Sequence, residues 1–370
     1  MKLLIATSYA PKLISGRSEL VSALAEAGYK MTVTGPESFD EVPIDLFCSF
    51  NIDYFQMPMS RNKINIISEI KTIIKLVMEV KNRDIQCILV YGIRLFPCVL
   101  STTQITKVFT VCVVNGLGSL FERSSLRNHI LRLTSYPILW LKMRHANKVI
   151  FQNPDDMKQL KKLRLVRDVN CTLVNGSGVN LLKFKQEPLP SDDIFLMIAR
   201  ITKSKGVFEY IEAAHVIKLR YKNAQFVLAG NIYQDTNDEI KNAITIAEKN
   251  GFIKYLGFVN DIADCLRKCR YYVLPSFYRE GIPRASLEAL AIGRPVITTD
   301  SPGCRETVIH GVNGLLVPVH DPHALADAMA WMIDNPEVVY SMSYHSRDIA
   351  ERKFNVTDVN ATIVTLLKSK

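Results

Sequence analysis

The sequence predicts an α/β protein built from two parallel-sheet domains in tandem. At 370 residues the chain exceeds the ~100–200 residues of one typical domain, so two hydrophobic cores are expected. In both halves, short apolar runs of strand character alternate with longer segments of helical periodicity, which is typical of parallel sheets. Hydrophobic residues make up 48% and charged residues 22%, without repeats or low-complexity tracts, as in globular proteins.

The first half begins as a β-α-β unit. We predict a strand over Lys2–Thr7, a loop that carries Pro11 and Gly16, a helix that ends at Gly28, and a strand over Met31–Thr34. The remaining predicted elements are a helix within Ile64–Val80 and strands over Gln86–Tyr91, Lys107–Val114 and Lys148–Gln152.

The second half repeats the same alternation. The predicted strands are Ile194–Ile198, Gln225–Ala229, Ile253–Leu256, Tyr272–Leu274 and Val296–Thr298. The predicted helices include Gly206–Leu219, Asp238–Lys249 and Leu325–Ile333. Asn250-Gly251 is a typical helix stop, since glycine adopts the left-handed conformation that ends many helices.

The domains that follow from this order are residues 1–175 and 190–350, with a linker near Gly176–Pro190. Residues 351–370 are predicted to form a C-terminal helix that returns toward the first domain. Ligands of such folds bind outside the carboxyl ends of the strands, so we expect the site in a central cleft that both domains face.

Positive charge is concentrated in the first half. Lys and Arg outnumber Asp and Glu by 23 to 14 in residues 1–170, a net +9, and by 23 to 22 in residues 171–370, a net +1. This asymmetry indicates an anionic partner for the first half, either nucleic acid or a membrane surface.

The eight scattered cysteines indicate reduced core residues of a cytoplasmic protein. Cys265 and Cys269 lack a second pair of soft ligands nearby, which argues against zinc. The apolar start Met1–Thr7 is too short for a secretory signal. No run reaches the ~20 apolar residues that span a bilayer, because Arg94 interrupts the best candidate.

Two cations flank a strand-to-helix turn in the second half. Arg200 follows a predicted strand and Lys205 precedes a predicted helix. Both can converge on a phosphate group, which the helix N-terminus would also attract. The alternative is a solvated basic loop.

Two carboxylates, Glu280 and Glu288, lie on either side of Gly281 and Pro283, just after another strand. Gly281 allows a close approach of the backbone to a ligand, and Pro283 suits the first turn of a helix. The pair can be an acid/base pair, or two acceptors for hydroxyls of two sugar rings. A helix-cap charge for Glu280 and a surface salt bridge for Glu288 is the structural alternative.

Five motifs in order across residues 190–335 resemble the retaining glycosyltransferases of family 4, whose GT-B fold consists of two Rossmann-like parallel-sheet domains facing a central cleft. The motifs are Arg200…Lys205-Gly206, Glu280-Gly281-Ile282-Pro283…Glu288, Gly293-Arg294-Pro295-Val296-Ile297, Gly303…Arg305-Glu306 and Gly311…Asn313-Gly314…Val317-Pro318. The first half fits in its β-α-β pattern only.

The resemblance implies a nucleotide-diphosphate sugar, UDP-linked in our prediction, as a substrate bound mainly to the second domain. Arg200 and Lys205 would neutralise its diphosphate, and Glu280 and Glu288 would hold hydroxyls of the donor sugar and of the ribose. The sugar-phosphate pocket would be lined by the backbone of Gly281, Ile282 and Pro283, and the base by Gly257 and Val259. Transfer would retain the anomeric configuration and need neither a cofactor nor a metal.

In the first domain, the resemblance places Gly16 in the loop near the donor phosphate, as part of Ser15-Gly16 where many members have Gly-Gly. Asn115 and Gly116 stand on the acceptor side, where many members present a histidine. Asn115 can hydrogen-bond a sugar but cannot act as a base near neutral pH. The Asn-Gly-Leu-Gly form resembles the subgroup that extends polyprenyl-diphosphate-linked saccharides with N-acetylhexosamine.

That subgroup explains the charge asymmetry. The segment Phe121–His145 mixes Arg123, Arg127 and Arg132 with apolar residues, so it is predicted to rest on an anionic membrane surface. The alternative is a core helix with a solvated basic face. The predicted protein is cytoplasmic, peripheral to the inner face of the cell membrane, and acts in assembly of lipopolysaccharide, O-antigen, capsule or a related glycan.

Three competing classes remain. A GT-B epimerase would need acid/base groups around the sugar, and a phosphorylase a pyridoxal-phosphate lysine, for which no motif is found. A nucleic-acid-binding protein would use the basic first half, which lacks a recognisable reading motif. Because that motif is lacking, we predict no nucleic-acid partner. A NAD enzyme is disfavoured because no GxGxxG follows the first strand.

Overall fold

The computed structural model describes residues 1–60, 65–118, 137–233 and 236–369, and it divides the chain into two compact units. The first unit comprises Met1–Ser177 and Thr357–Lys370, and the second comprises Gly178–Val356. The second unit thus includes residues 178–190, which we expected as a linker. The reason is that Phe184 and Leu189 are buried in its core.

The first unit contains a seven-stranded sheet in the order β3-β2-β1-β4-β5-β6-β7, in which every neighbouring pair is parallel. Its strands are β1 (Lys2–Thr7), β2 (Lys30–Gly35), β3 (Asp53–Gln56), β4 (Cys87–Tyr91), β5 (Phe109–Val114), β6 (Lys148–Phe151) and β7 (Cys171–Leu173). Its helices are α1 (Pro11–Glu26), α2 (Ile44–Ser49), α3 (Ile66–Asn82), α4 (Phe96–Thr106), α5 (described over residues 137–143) and α6 (Pro154–Lys162).

The second unit contains a six-stranded parallel sheet in the order β10-β9-β8-β11-β12-β13. Its strands are β8 (Ile194–Ile198), β9 (Gln225–Ala229), β10 (Lys254–Tyr255), β11 (Tyr271–Leu274), β12 (Val296–Thr299) and β13 (Gly314–Val317). Its helices are α7 (Val207–Arg220), α8 (Asp238–Lys249), α9 (Ile262–Lys268), α10 (Arg284–Ile292), α11 (Pro322–Asp334) and α12 (Pro336–Phe354).

Both sheets have the doubly wound order in which the direction of strand addition reverses, between β1 and β4 in one and between β8 and β11 in the other. Ligands of such sheets bind where the order reverses, because the loops diverge there and leave a crevice. The two-domain parallel α/β class is therefore confirmed, and in the second sheet the reversal lies where Arg200 and Glu280 were predicted to act.

The last helix, α13 (Val356–Lys368), contributes Val359, Ile363 and Leu367 to a core of the first unit. The chain leaves the first unit and returns to it at two points that are close in space. Two hydrogen bonds join these points: the backbone N–H of Val179 donates to Phe354 O (2.7 Å), and that of Val356 donates to Val179 O (3.1 Å). We expected one C-terminal helix over residues 351–370. Residues 351–354 instead complete α12.

Two further expectations are corrected. Gly16 lies within α1 rather than in a loop, because Pro11 occupies the first helical turn, and the helix then kinks at Arg17. A proline is tolerated there since the first N–H groups of a helix have no intrahelical partner. Cys48 is exposed, whereas we expected the cysteines in the core. No helix in the described ranges combines the length and apolar character needed to span a bilayer.

Candidate active site

Three loops converge at the carboxyl ends of β8, β11 and β12: residues 199–206, 275–283 and 300–304. Ser204 O accepts hydrogen bonds from the backbone N–H groups of Phe277 (3.0 Å) and Tyr278 (3.1 Å). Ser276 O accepts from the hydroxyls of Ser301 (2.9 Å) and Thr299. The middle loop is thus fixed to both of its neighbours.

Two glycines allow these loops to approach so closely. A Cβ atom on Gly206 would lie 2.2 Å from Pro275 O, and one on Gly303 would lie 1.8 Å from Gly281 O. Both glycines also adopt positive φ, +78° and +86°, which side chains disfavour. The position of the Glu280-Gly281 backbone therefore depends on the absence of a side chain at Gly303.

The loops bring Lys205 and Glu280 into direct contact. Lys205 Nζ lies 2.5 Å from Glu280 Oε1, and the two side chains are only 9% and 18% exposed. The Ser276 hydroxyl also donates to Glu280 Oε1 at 3.1 Å. Lys205 sits in a 3₁₀ turn immediately before α7, with Gly206 as the N-cap of that helix. The sequence placed both residues at the ends of strands, but it did not predict that they touch.

Arg200 follows β8 on the same loop as Lys205, and it is exposed. The two predicted phosphate-binding cations therefore differ in environment. Lys205 is buried against a carboxylate, whereas Arg200 faces solvent. An exposed guanidinium can bind phosphate oxygens bidentately when an anionic ligand arrives.

Glu288 lies inside α10 and is 5% exposed. Its Oε1 pairs with Arg284 Nη2 at 3.4 Å, one helical turn earlier. The expected helix start is corrected by one residue, because Pro283 is the N-cap of α10 and Arg284 its first residue. A carboxylate buried this deeply differs from the surface salt bridge that we held as the alternative, since Arg284 is the exposed member of the pair.

Tyr272 and Cys304 lie beneath the two carboxylates, and sequence reasoning missed both. Burial, and then the negative charges of Glu288 and Glu280, raise the pKa of the fully buried Tyr272 hydroxyl well above its usual value. Burial, and then the charge of Glu280, raise the pKa of the Cys304 thiol to about 11. Both groups therefore stay protonated near neutral pH. The available signal was that Tyr272 lies within β11 and Cys304 directly follows Gly303.

The ends of β9 and β10 adjoin the same edge. The N–H of Gly230 donates to Gly257 O (2.8 Å), and a Cβ on Gly230 would lie 1.8 Å from Ala199 O. Next to Gly257, the ring of Phe258 is 64% exposed and Val259 is half-buried. The region predicted to meet the base is thus continuous with the loop that carries Arg200.

Two of the remaining motifs serve the fold. Arg294 is fully buried and donates to the backbone oxygens of Leu266, Glu187 and Arg267. Asn313 is also fully buried, accepts from the N–H of Ile309 and donates to Thr307 O. These side chains fix loops and leave no polar group for a ligand.

In the first unit, Asn115 follows β5 directly and is exposed, and Gly116 beside it has φ +107°. Gly16 precedes the kink at Arg17, whose guanidinium lies 4.4 Å from the centre of the Tyr91 ring. Asn115 and Gly116 lie at the carboxyl end of β5, where ligands of this architecture bind, and Gly16 lies in the second turn of α1. The predicted membrane residues Arg123, Arg127 and Arg132 lie outside the described residues.

The strand orders and this carboxyl-end site define the class. Over its full length the chain superposes on solved glycosyltransferases with the GT-B fold. For one from Rickettsia africae the TM-score is 0.79 at 16% identity over 100% of this chain and 98% of that one. For Anabaena HepE in complex with UDP-glucose it is 0.79 at 19% identity, covering both chains completely. The protein therefore has the GT-B fold.

The family follows from the second unit. Residues 180–349, somewhat less than half of the chain, match the family model "Glycosyl transferases group 1". This domain identifies the protein as a glycosyltransferase. The chain is also similar to a Campylobacter jejuni protein, an N,N'-diacetylbacillosaminyl-diphospho-undecaprenol alpha-1,3-N-acetylgalactosaminyltransferase. It is 27% identical over 274 residues, 68% of this chain and 70% of that protein.

Two shorter matches are to enzymes named for polysaccharide biosynthesis. The amylovoran biosynthesis glycosyltransferase AmsK of Erwinia amylovora is 30% identical over 167 residues, 43% of this chain and 40% of that protein. The capsular polysaccharide biosynthesis glycosyltransferase CapM of Staphylococcus aureus is 26% identical over 177 residues, 48% of this chain and 46% of that protein. The matched regions thus cover less than half the length of each of these two relatives.

Proposed function

We propose that the protein transfers an N-acetylhexosamine or a hexose from a UDP-sugar to a polyprenyl-diphosphate-linked saccharide, with retention of the anomeric configuration. The observation that best supports this proposal is the contact between Lys205 and Glu280, at the point where three loops converge. The acceptor class is supported by the Campylobacter jejuni relative, whose name specifies an undecaprenyl-diphosphate acceptor and an N-acetylgalactosamine donor group. The relatives in amylovoran and capsule synthesis support a role in surface polysaccharide assembly.

The residues of the second unit would divide the work as follows. Lys205 and Arg200 neutralise the diphosphate, so that the nucleotide can leave as an anion. Glu280 holds donor-sugar hydroxyls while keeping Lys205 in position, and Glu288 accepts from the ribose. Because the diphosphate competes with Glu280 for Lys205, donor binding would shift the ammonium from one anion to the other.

Retention would arise from attack on the face of the sugar that the leaving phosphate occupies, with a phosphate oxygen taking the acceptor proton. This route requires no residue of the chain to act as a general base. It is therefore compatible with Asn115 on the acceptor side, which cannot act as a base. It also requires no metal, because the two cations carry the charge of the leaving group. The protein would work at the inner face of the cell membrane, where its acceptor is anchored.

The test is a panel of nucleotide sugars with a short polyprenyl-diphosphate saccharide, with and without a chelator. Product mass identifies the sugar and the acceptor together, and the proton coupling at the new anomeric carbon reports retention. We expect Glu280→Gln to lower turnover by about 100-fold, as loss of one preorganised polar group at a transfer site does. Glu239→Gln, at an exposed position of α8, is the matched control.

Inverted product, or transfer that chelation abolishes, would contradict the mechanism. Wild-type turnover in Glu280→Gln would remove the site assignment. Interconversion of the UDP-sugars without any acceptor product would instead establish the epimerase alternative.

A further inference from the structure

Helices α3, α4 and α5 lie side by side on one face of the first sheet. Their inner sides share one hydrophobic core, to which α3 contributes Leu76 and Val80 and α5 contributes Leu139 and Met143. α3 packs along α4, and the Lys142 ammonium of α5 donates to Gln104 Oε1 of α4 at 2.6 Å. The outer sides of these helices therefore form one surface of the unit, the α3–α5 surface.

That surface is apolar where solvent-facing helices are normally polar. Ile66, Ile70, Ile74 and Met78 recur at every fourth residue of α3, so they form one row along the helix. With Ile67 beside them they are between 52% and 74% exposed. Exposed residues continue the apolar character on the neighbouring helices, namely Ile105 of α4 and Ile138 and Leu141 of α5.

The charge of the surface is predominantly positive. Glu69 and Glu79 are the only acids among the described residues of α3, α4 and α5, and both are held in ion pairs, with Arg94 and Arg83 respectively. The cations Lys71 and Lys81 are exposed on α3. Lys107, directly after α4, and Arg144, directly after α5, are also exposed. The isoleucine row of α3 therefore stands among an excess of positive charge.

We propose that the α3–α5 surface docks the protein on an anionic lipid bilayer, with the isoleucine row of α3 in the interfacial region. A helix that lies in this region has an apolar row on one side and cations at its margins. Lysine stems reach along the apolar surface while their ammonium groups meet lipid phosphates. The row projects from a helix and is not a groove, so it suits insertion between headgroups.

This inference extends the membrane attachment of the proposed function from the segment Phe121–His145, which includes α5 and Arg144, to helices α3 and α4. The membrane contact is independent of sugar transfer. Binding to vesicles can therefore be measured without any substrate, and its failure is distinguishable from a failure of the transferase assignment.

The experiment is sedimentation of the full chain with vesicles of phosphatidylcholine, with and without phosphatidylglycerol. We expect binding to the anionic vesicles, weakened by salt. The double variant Ile70→Asn/Ile74→Asn should bind at least about tenfold more weakly. Lys71→Gln/Lys81→Gln should bind about 30-fold more weakly and lose part of its salt sensitivity, since Lys107 and Arg144 remain.

The matched control is Ile246→Asn/Lys249→Gln, which changes an exposed isoleucine and an exposed lysine on α8 of the second unit, and should bind like the wild type. Circular dichroism and the thermal midpoint check that each variant is folded. Glu280→Gln should retain vesicle binding. Equal binding by the α3 variants and the wild type would overturn the proposal. The proposal would also be overturned if the α3 variants lost self-association but kept vesicle binding, because α3 would then pair two copies of the chain.

Discussion

Gly303 is the residue on which the geometry of the site depends most directly. Its Cα faces the carbonyl oxygens of Glu280 and Gly281, so any side chain would push the carboxylate loop away from Lys205. Glutamine can replace Glu280 without a change of shape. No other residue can replace Gly303, because a side chain there would disfavour its φ and would clash with the backbone of Glu280 and Gly281. Gly311, in contrast, has a similar φ of +78°, and a Cβ atom added to it would have no neighbouring atom within 4 Å.

We expect Gly303→Ala to lower turnover by about 100-fold, because a displacement of ~1 Å in a catalytic group has that order of effect. Gly311→Ala should keep wild-type turnover and lose only about 1 kcal/mol of stability, the strain of a side chain at positive φ. Steady-state kinetics and urea unfolding of both variants provide the comparison. Equal kinetics for the two would show that the close approach does not position Glu280.

At the level of elements, strands β1, β8 and β9 and helix α8 were predicted with their observed bounds, whereas strands β3, β7 and β13 were not predicted. β1, β8 and β9 coincide with continuous apolar runs, because parallel strands buried on both faces leave no room for polar residues. The start of α1 was missed because Pro11 and Gly16 are common loop residues, and local composition does not show that a helix continues through them.

The candidate site shows the same limit. The positions of Lys205 and Glu280 at strand ends could be predicted, since strand-to-helix turns carry ligand sites in this architecture. Their contact, and the hydrogen bonds from the 275–283 loop to Ser204 O, could not. These contacts depend on how three loops, far apart in sequence, pack against one another. Nothing in local residue patterns encodes that packing.

Helix α13 gives a prediction at this scale. Ile363 is 2% exposed in the core of the first unit, so Ile363→Ala should lower the free energy of unfolding of that unit by about 2–4 kcal/mol, through lost burial and a residual cavity. Thr365→Ala, at an exposed position of the same helix, should change it by less than about 0.5 kcal/mol. Urea unfolding followed by circular dichroism measures both. Equal effects would mean that α13 does not stabilise the first unit.

At the scale of the whole molecule, a continuous second unit is inserted in the sequence of a discontinuous first unit. Residues 178–356 have their own hydrophobic core and their own sheet. The first unit is made of two chain segments, and its core is completed by α13. The charge asymmetry follows the same division, because the basic excess belongs to the part of the chain that builds the first sheet.

We therefore expect residues 178–356, expressed alone, to unfold cooperatively and to bind UDP. Residues 1–177 alone should be markedly less stable than the same segment in the full chain, because Val359, Ile363 and Leu367 are then missing from the core. Thermal unfolding by circular dichroism and UDP titration by calorimetry test the two fragments. A disordered 178–356 fragment would contradict the independence of the second unit.

The crossing of the chain at Val179 and Phe354–Val356 has a consequence for biosynthesis. Gly178 is packed so tightly there that a Cβ atom would lie 2.5 Å from the Cα of Val356. The second unit can thus close on itself as soon as residue 356 has left the ribosome, since domains fold as units during synthesis. The seven-stranded sheet, whose strands are translated first, must wait for α13. The N-terminal half is therefore synthesised first but completes its fold last. Until α13 has been made, the apolar surface that α13 covers stays exposed to chaperones.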